Sequence, residues 1–428
     1  MFFLKKILKY TTYALVFLLS PLFLILIIIL RKFIIIRIHS IVTNRIGHFA
    51  GNVDNYLHKL SLDEFSHKYY DIAFYQSFIC NKFLAKLWKR NLIVFPNIII
   101  FPLYLILKYL SKKNNFFDLH LVKSYFTGAD RDIDNHIDEK SPNLKFKDSE
   151  INLGQQELLK NFGLKKEDKF ICLNVRDSFY LKTITSEKDI STTIRWSYRD
   201  YNVQSFIRAA DELTKRGYYV FRMGNIAKDK IQSSNEMIID YAFSPHRSDF
   251  LDMYLLSNCE FCLTTDLGID LIPFIMRRPI ASISNPLCLL KLSSKKFMNI
   301  FDHYYCLEKK RYLSINEIFK KNLGFFDSSS DLIKYNVKLI QPSEEEIKDL
   351  ALDMLDIIKK NFQDSLKDTL NREFLKIFDD NCSSKNFMDH FSSHPNNINK
   401  FEVLRLHNKY YGRISPTFLK KNQYLLVQ

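Results

Sequence analysis

The segment from Asn258 to Ile280, NCEFCLTTDLGIDLIPFIMRRPI, concentrates more potential chemistry than any other part of the chain. An apolar run, Phe261 to Leu263, breaks at Thr264-Thr265-Asp266, passes Gly268, and resumes as a helical apolar pattern that stops before Pro279. That order reads as a strand, a polar turn and a helix N-terminus. The first amides of a helix have no internal partners and carry the positive end of its dipole, so such a turn suits a phosphate. Gly268 would let a ligand approach the backbone. The same pattern also fits a plain helix start with Asp266 as its N-cap.

Other polar side chains stand where apolar runs end. Arg176, in LNVRD (173–177), follows a run from Phe170 to Val175; its planar fork can hold two phosphate oxygens, or pair with Asp177 beside it. Arg199, in RWSYRDY, is a second candidate phosphate contact. Arg222 and Gly224 close the FRMG segment, at a strand end. His48, in RIGH (45–48), has a side chain that titrates near neutral pH and so suits a general base, against a simple loop hydrogen bond. Asp54 and Asp177 are the other candidate bases. Asp132-Ile133-Asp134 matches a metal-binding D-x-D pattern, but it sits among acids and follows no strand; a solvated loop is expected there and no metal is assigned. Cys259 and Cys262 lack a second pair to complete a zinc site and are expected to be core thiols, while His246 is expected on a surface turn.

These residues need a scaffold. The spacing predicts strands over 33–42, 71–78 and 92–95, with helices over 52–60 and 81–90 between them. A second alternation predicts strands at 170–175, 218–222, 261–263 and 280–283, with helices at 203–216 and 250–257. Ser343 with Glu344, Glu345 and Glu346 opens a long amphipathic helix running to Phe362. Strands alternating with helices imply α/β architecture and parallel sheets. An acidic polar stretch near 127–149 is the linker candidate.

Thr11 to Leu30 carries no charge, is long enough to span about 30 Å as a helix, and is flanked by Lys5, Lys6, Lys9, Arg31, Lys32 and Arg37. It reads as an uncleaved membrane anchor. The flanking charges nearly balance and leave orientation open, and Pro21 also fits an in-plane anchor. Leu92 to Leu110, interrupted by Pro96, Pro102 and Lys108, reads as domain core with one lipid-facing side. The net charge of +15 calls for an anionic partner, but the basic residues are scattered and no nucleic-acid motif is present, which favours phosphorylated ligands or acidic lipid over nucleic acid. Seven cysteines, an odd number, do not form a disulfide scaffold and fit a reducing compartment.

The ordered set RIGH, LNVRD, YRDY (198–201), FRMG and TTDLG with the following Arg278-Pro279 resembles a family of bacterial glycosyltransferases of surface polysaccharide biosynthesis, over roughly residues 35–290. More distantly the layout is similar to heptosyltransferases and fucosyltransferases. The resemblance implies a GT-B-like fold: two Rossmann-like doubly wound domains behind an N-terminal membrane helix. The expected parts are the anchor (1–32), an acceptor domain (33–127), a linker (128–150), a donor domain (151–340), and a helical region (341–428) packing across both.

The resemblance also implies roles. Arg176, Arg199, Arg222, Gly224, Thr264, Thr265, Asp266 and Gly268 would bind a nucleotide-sugar donor, and His48, Asp54 or Asp177 would act on the acceptor. Heptosyltransferases carry an acid after Ile-Gly in the first loop; His48 stands in its place here. The implied activity is a metal-independent hexosyl or related transfer, without a cofactor. It would run from a nucleotide-sugar to a glycan or lipid-linked acceptor at the cytoplasmic face of the inner membrane. A nucleotide-sugar epimerase on the same fold and a non-catalytic membrane scaffold are the rival readings.

Overall fold

Parallel strands joined by helices organise both parts of the chain. The computed structural model describes residues 2–61, 68–76, 78–122, 132, 137–179, 183, 197–326, 328–363, 368–382 and 411–427. The chain divides into two units: Met1–Ala129 with Asn143–Phe146, and Asp130–Pro142 with Lys147–Gln428.

In the first unit, β1 (Ile35–Ile41), β2 (Tyr69–Tyr75) and β3 (Val94–Phe95) form a parallel sheet in the order β1-β2-β3. β1 buries residues of both parities, as a parallel strand covered on both faces should. Two of them, Arg37 and His39, are polar. Arg37 sits in register with Asp71 and binds it with two hydrogen bonds of 2.6 Å, while the Tyr56 hydroxyl donates to the same carboxylate. Burial, with a smaller push from the Arg37 charge and against the pull of Asp71, drives His39 down to about 4 and keeps it neutral. The helix Phe2–Leu30 precedes β1; Val53–Ser61 and Lys82–Trp88 follow β1 and β2, and Asn97–Ser111 follows β3. Asn81 caps Lys82–Trp88 by accepting from the Leu84 amide at 2.7 Å.

The second unit holds β4 (Lys169–Asn174), β5 (Tyr218–Arg222), β6 (Ile238–Ile239), β7 (Cys262–Thr264), β8 (Ile280–Ile283) and β9 (Phe297–Ile300). A small antiparallel sheet is made by β10 (His303–Cys306), β11 (Arg311–Tyr312) and β12 (Val337–Ile340); β13 (Arg413–Ile414) ends the series. The main sheet runs β13-β9-β8-β7-β4-β5-β6, parallel throughout. From β6 to β9 this is the 3-2-1-4-5-6 order of a doubly wound sheet, extended by β13. The helices Ile207–Thr214 and Glu344–Lys359 share its core.

The α/β expectation with parallel sheets stands. The doubly wound order is present in the second unit; the first shows three parallel strands among its described residues. Differences are local. Residues 203–206 form a tight 3-10 turn before the helix Ile207–Thr214, where one continuous helix is expected. The C-terminal segment, unremarkable in sequence, adds β13 and the helix Pro416–Lys421 to the second unit. Asp132 is buried and its carboxylate accepts from the Ile137 amide at 3.0 Å, which corrects the solvated reading; Ile133 and Asp134 lie outside the described residues. Cys259 and Cys262 are fully buried, and His246 is exposed on a turn.

Gly154, inside the helix Asp148–Phe162, faces the ring of Tyr254; a Cβ there would sit 2.2 Å from Cε2. Gly154→Ala gains about 1 kcal/mol of helix propensity but forces a clash worth roughly 1–3 kcal/mol. The expected outcome in thermal unfolding is a lower melting temperature; a higher one would mean that Tyr254 moves aside at no cost.

Candidate functional site

In the second unit the chain leaves β4 for β5 and β6 on one side, and returns through β7 for β8 and β9 on the other. The loops that follow β4 and β7 therefore diverge at the topological switch point of the sheet, the place where open α/β sheets generally offer a crevice to ligands. Arg176 and Asp177 come from the first loop; Thr264, Thr265, Asp266 and Gly268 come from the second.

Buried polar contacts knit the two loops. Asp270 is fully buried and accepts from Asn174 Nδ2 at 2.6 Å, from Thr264 Oγ1 at 2.7 Å and from the Leu267 amide at 2.6 Å. The Arg176 amide donates to Thr265 Oγ1 at 2.8 Å, and the Thr265 amide to the Asn174 carbonyl at 3.1 Å. Burial pushes the Asp270 carboxyl up to about 6, opposed by Lys291 and by these donors. The turn therefore uses the amides of Thr265, Asp266 and Leu267 internally rather than presenting them to a ligand. Its left-handed residue is Asp266, at φ 61°, a conformation that Asp tolerates; Gly268 is exposed and opens the short 3-10 turn Gly268–Asp270.

What the crevice offers an anion is side-chain charge. Arg199 donates to the Asp266 carbonyl and lies 3.4 Å from its carboxylate, whose other oxygen pairs with buried Lys291. Arg176 Nε is 3.1 Å from Asp200 Oδ1, off hydrogen-bonding alignment, and Ser178 donates to the second Asp200 oxygen. Arg176 and Arg199 are close enough that burial and the neighbouring Arg199 charge together lower the Arg176 pKa. Arg176 Nε and Nη2 and Arg199 Nε are buried without a hydrogen-bond acceptor among the described residues. Two crowded guanidinium groups with unfilled donors are an arrangement that an anion relieves.

Arg222, at the end of β5, is almost wholly buried and its charge is met within the protein: Nη1 donates to Asp240 at 3.1 Å, and Nη2 lies 3.9 Å from Asp177. Asp177 accepts from the amides of Phe179 and Lys228, at 3.0 and 3.1 Å. Gly224 has φ 152° and receives Arg247 Nε at its carbonyl, so it shapes the loop after β5. Trp196 lies outside the described residues.

In the first unit, His48 is half-buried and opens a π-helical turn, His48–Asn52, that runs into the helix Val53–Ser61. Such turns recur at functional sites. Asp54 is buried and accepts from Asn143 Nδ2 at 2.8 Å.

Sequence reasoning missed Asp200, Asp270 and Lys291. Asp270 falls in the first turn after Gly268, where an acid is common, but nothing in the sequence marks its burial, and nothing marks Lys291. It also missed a buried cluster at the ends of β8 and β9, where Tyr201 donates to Asp302 and Asn285 Oδ1 accepts from the Asp302 amide at 3.2 Å.

Two outcomes follow. Lys291→Met strands the Asp266 carboxylate in a buried site and should cost about 3–5 kcal/mol in denaturant unfolding; a loss below about 1 kcal/mol would show that Arg199 and water suffice. Burial pushes Asp302 up to about 7, from an unfolded value near 4. The raised folded value means that stability is full below about pH 4 for this group and is lost as pH rises through 7. Asp302→Asn keeps an acceptor for Tyr201, so it should flatten the fall in melting temperature between pH 5 and about 8; an unchanged slope would assign that fall to other groups.

No protein-family profile matches this chain, and no curated protein matches it. Among solved structures it is similar to a glycosyl transferase family 9 protein from Veillonella parvula DSM 2008, at 12% identity over 75% of this chain and 97% of that one, with a TM-score of 0.41. It is also similar to the ADP-heptose LPS heptosyltransferase II of E. coli, at 13% identity over 74% of this chain and 98% of that one, with a TM-score of 0.38. Likenesses this loose transfer no residue roles.

Proposed function

We propose that this protein is a glycosyltransferase that binds the diphosphate of a nucleotide-sugar in the crevice beyond β4 and β7 and passes the sugar to a glycan or lipid-linked acceptor of surface polysaccharide biosynthesis. One observation carries the reading: Arg176 and Arg199, both on the connection that leaves β4, crowd each other at the switch point of a doubly wound sheet with buried donors that meet no acceptor among the described residues. The sequence resemblance, which includes the motifs that carry both arginines, supports it as well.

In this reading the two guanidinium groups neutralise the diphosphate as it leaves, which gives the reaction its positive charge without a metal. Lys291 holds Asp266, and Asp266 holds Arg199, so the turn after β7 acts as the support of the anion site. The acceptor hydroxyl gives its proton to a base, its oxygen bonds to the anomeric carbon, and the bond from that carbon to the diphosphate breaks. His48 is the proposed base. Asp177 is committed to two backbone amides, and Asp54 is buried against Asn143. The apolar helix Phe2–Leu30 associates with the cytoplasmic face of a membrane, and the +15 charge favours acidic headgroups there.

Thermal shift of the full chain in detergent, against a panel of nucleoside diphosphates, tests the reading. A binding nucleotide raises the melting temperature by mass action. Arg176→Gln should weaken the binding by about tenfold or more, as expected for a charge-assisted contact, without lowering the ligand-free melting temperature by a comparable measure. If no nucleotide shifts the folded protein, or the variant binds as tightly, the donor site is not here.

A further inference from the structure

The helix Phe2–Leu30 is long and apolar enough to cross a bilayer, with a mean hydropathy of 2.9 over its most apolar 18 residues. Its packing points elsewhere. We infer that it lies along the membrane surface within one leaflet, paired lengthwise with the helix Asn97–Ser111, and does not cross; this rests on the membrane association proposed above.

The helix has two distinct sides. Tyr13, Val16, Ser20, Phe23 and Ile27 recur every three or four residues and are half-buried or buried. Leu15, Leu18, Leu22, Ile25 and Ile29 recur at the same spacing, each more than half exposed. The first stripe faces protein. The Tyr13 ring lies 6.2 Å from that of Phe101, and Ile27 is completely buried in a cluster with Ile38, Phe74, Ile100 and Leu107. From Tyr13 to Ile27 is about 21 Å along the axis, which matches the roughly 22 Å of the 15-residue helix Asn97–Ser111.

This pairing forbids an upright span. A bilayer core is about 30 Å thick, and the part of the first helix ahead of Tyr13 covers about half of that and contains Lys5, Lys6 and Lys9. To complete a crossing, Asn97–Ser111 and the sheet beneath it would have to enter hydrocarbon. Among the described residues no strand pairs with the outer edge of β3, and an edge left open to lipid is not tolerated at that depth. A flat placement has no such conflict. The second helix adds exposed apolar side chains of its own, Ile99, Leu105 and Tyr109, and Phe33 after the first helix is 77% exposed. Exposed Lys6, Lys32, Lys108, Lys112 and Lys113 stand near the ends of the two helices, where headgroups would meet them. An apolar face with a cationic margin fits one leaflet that contains anionic lipid.

The full chain, carrying a protease-cleavable tag at each end, is reconstituted into sealed vesicles of phosphatidylcholine and phosphatidylglycerol, floated, and treated with protease from outside. In-plane binding leaves both tags of a given molecule on the same side, so each chain loses both or neither. Flotation with one tag cut and the other protected overturns the inference and keeps membrane association. Failure to float overturns both. A second measurement guards the surface assignment: Leu18→Ser, Leu22→Ser and Ile25→Ser together should reduce flotation at least tenfold with the melting temperature unchanged, since these side chains face away from protein. Undiminished flotation of that folded variant overturns the assigned face.

Discussion

The candidate site depends on one buried carboxylate. Asp270 takes hydrogen bonds from the end of β4, the end of β7 and the turn between β7 and the next helix. A doubly wound sheet must part its connections at one point, and parted loops have no ladder to hold them. An ionisable group in that position is costly unless its oxygens are filled. Here donors from Asn174, Thr264 and Leu267 fill them, and the cost of burial is offset by fixing three segments with one residue. The same knot explains why the turn's amides are not an anion cradle: they are consumed in holding the crevice open.

With the backbone closed, recognition passes to side chains, and their charges are arranged in series. Lys291 meets Asp266; Asp266, bent into the left-handed region, meets Arg199; Arg199 crowds Arg176, which leans on Asp200. An acid in a phosphate turn looks self-defeating when read alone. Paired on one side to a buried lysine and on the other to an arginine, it adds no open negative charge and holds Arg199 in place, which in the proposed donor site would support a cation. Arg222, at the end of β5, is also buried, and its carboxylate partners are Asp240 and, at 3.9 Å, Asp177.

How legible this was from sequence follows from the range of the forces involved. Strands such as Tyr218–Arg222 and Ile280–Ile283 were read to the residue because a buried parallel strand is a short apolar run with sharp ends. The capped start at Ser343 was equally local: its hydroxyl accepts from the Glu346 amide at 3.3 Å. The two-residue strands β6 and β13 carry no period to detect, and β13 exists only because the C-terminal segment returns to pair with β9. In the site, Arg176 and Arg199 were legible as residues. Their meeting, and the roles of Asp200 and Lys291, were not, because each depends on how a long connection folds back or on contacts between distant segments, neither of which leaves a local pattern.

The N-terminal helix shows the same limit in a different form. Hydropathy averages around the axis, so a helix with lipid on every side and a helix with lipid on one side and protein on the other give the same apolar count. Here the protein-facing stripe is itself apolar, apart from Ser20, and the stripe pattern that would reveal a surface helix is erased in sequence. Only the partner distinguishes the two cases. Once Ile27 is buried with residues of a sheet, that stretch of helix cannot take a lipid position that the sheet cannot share.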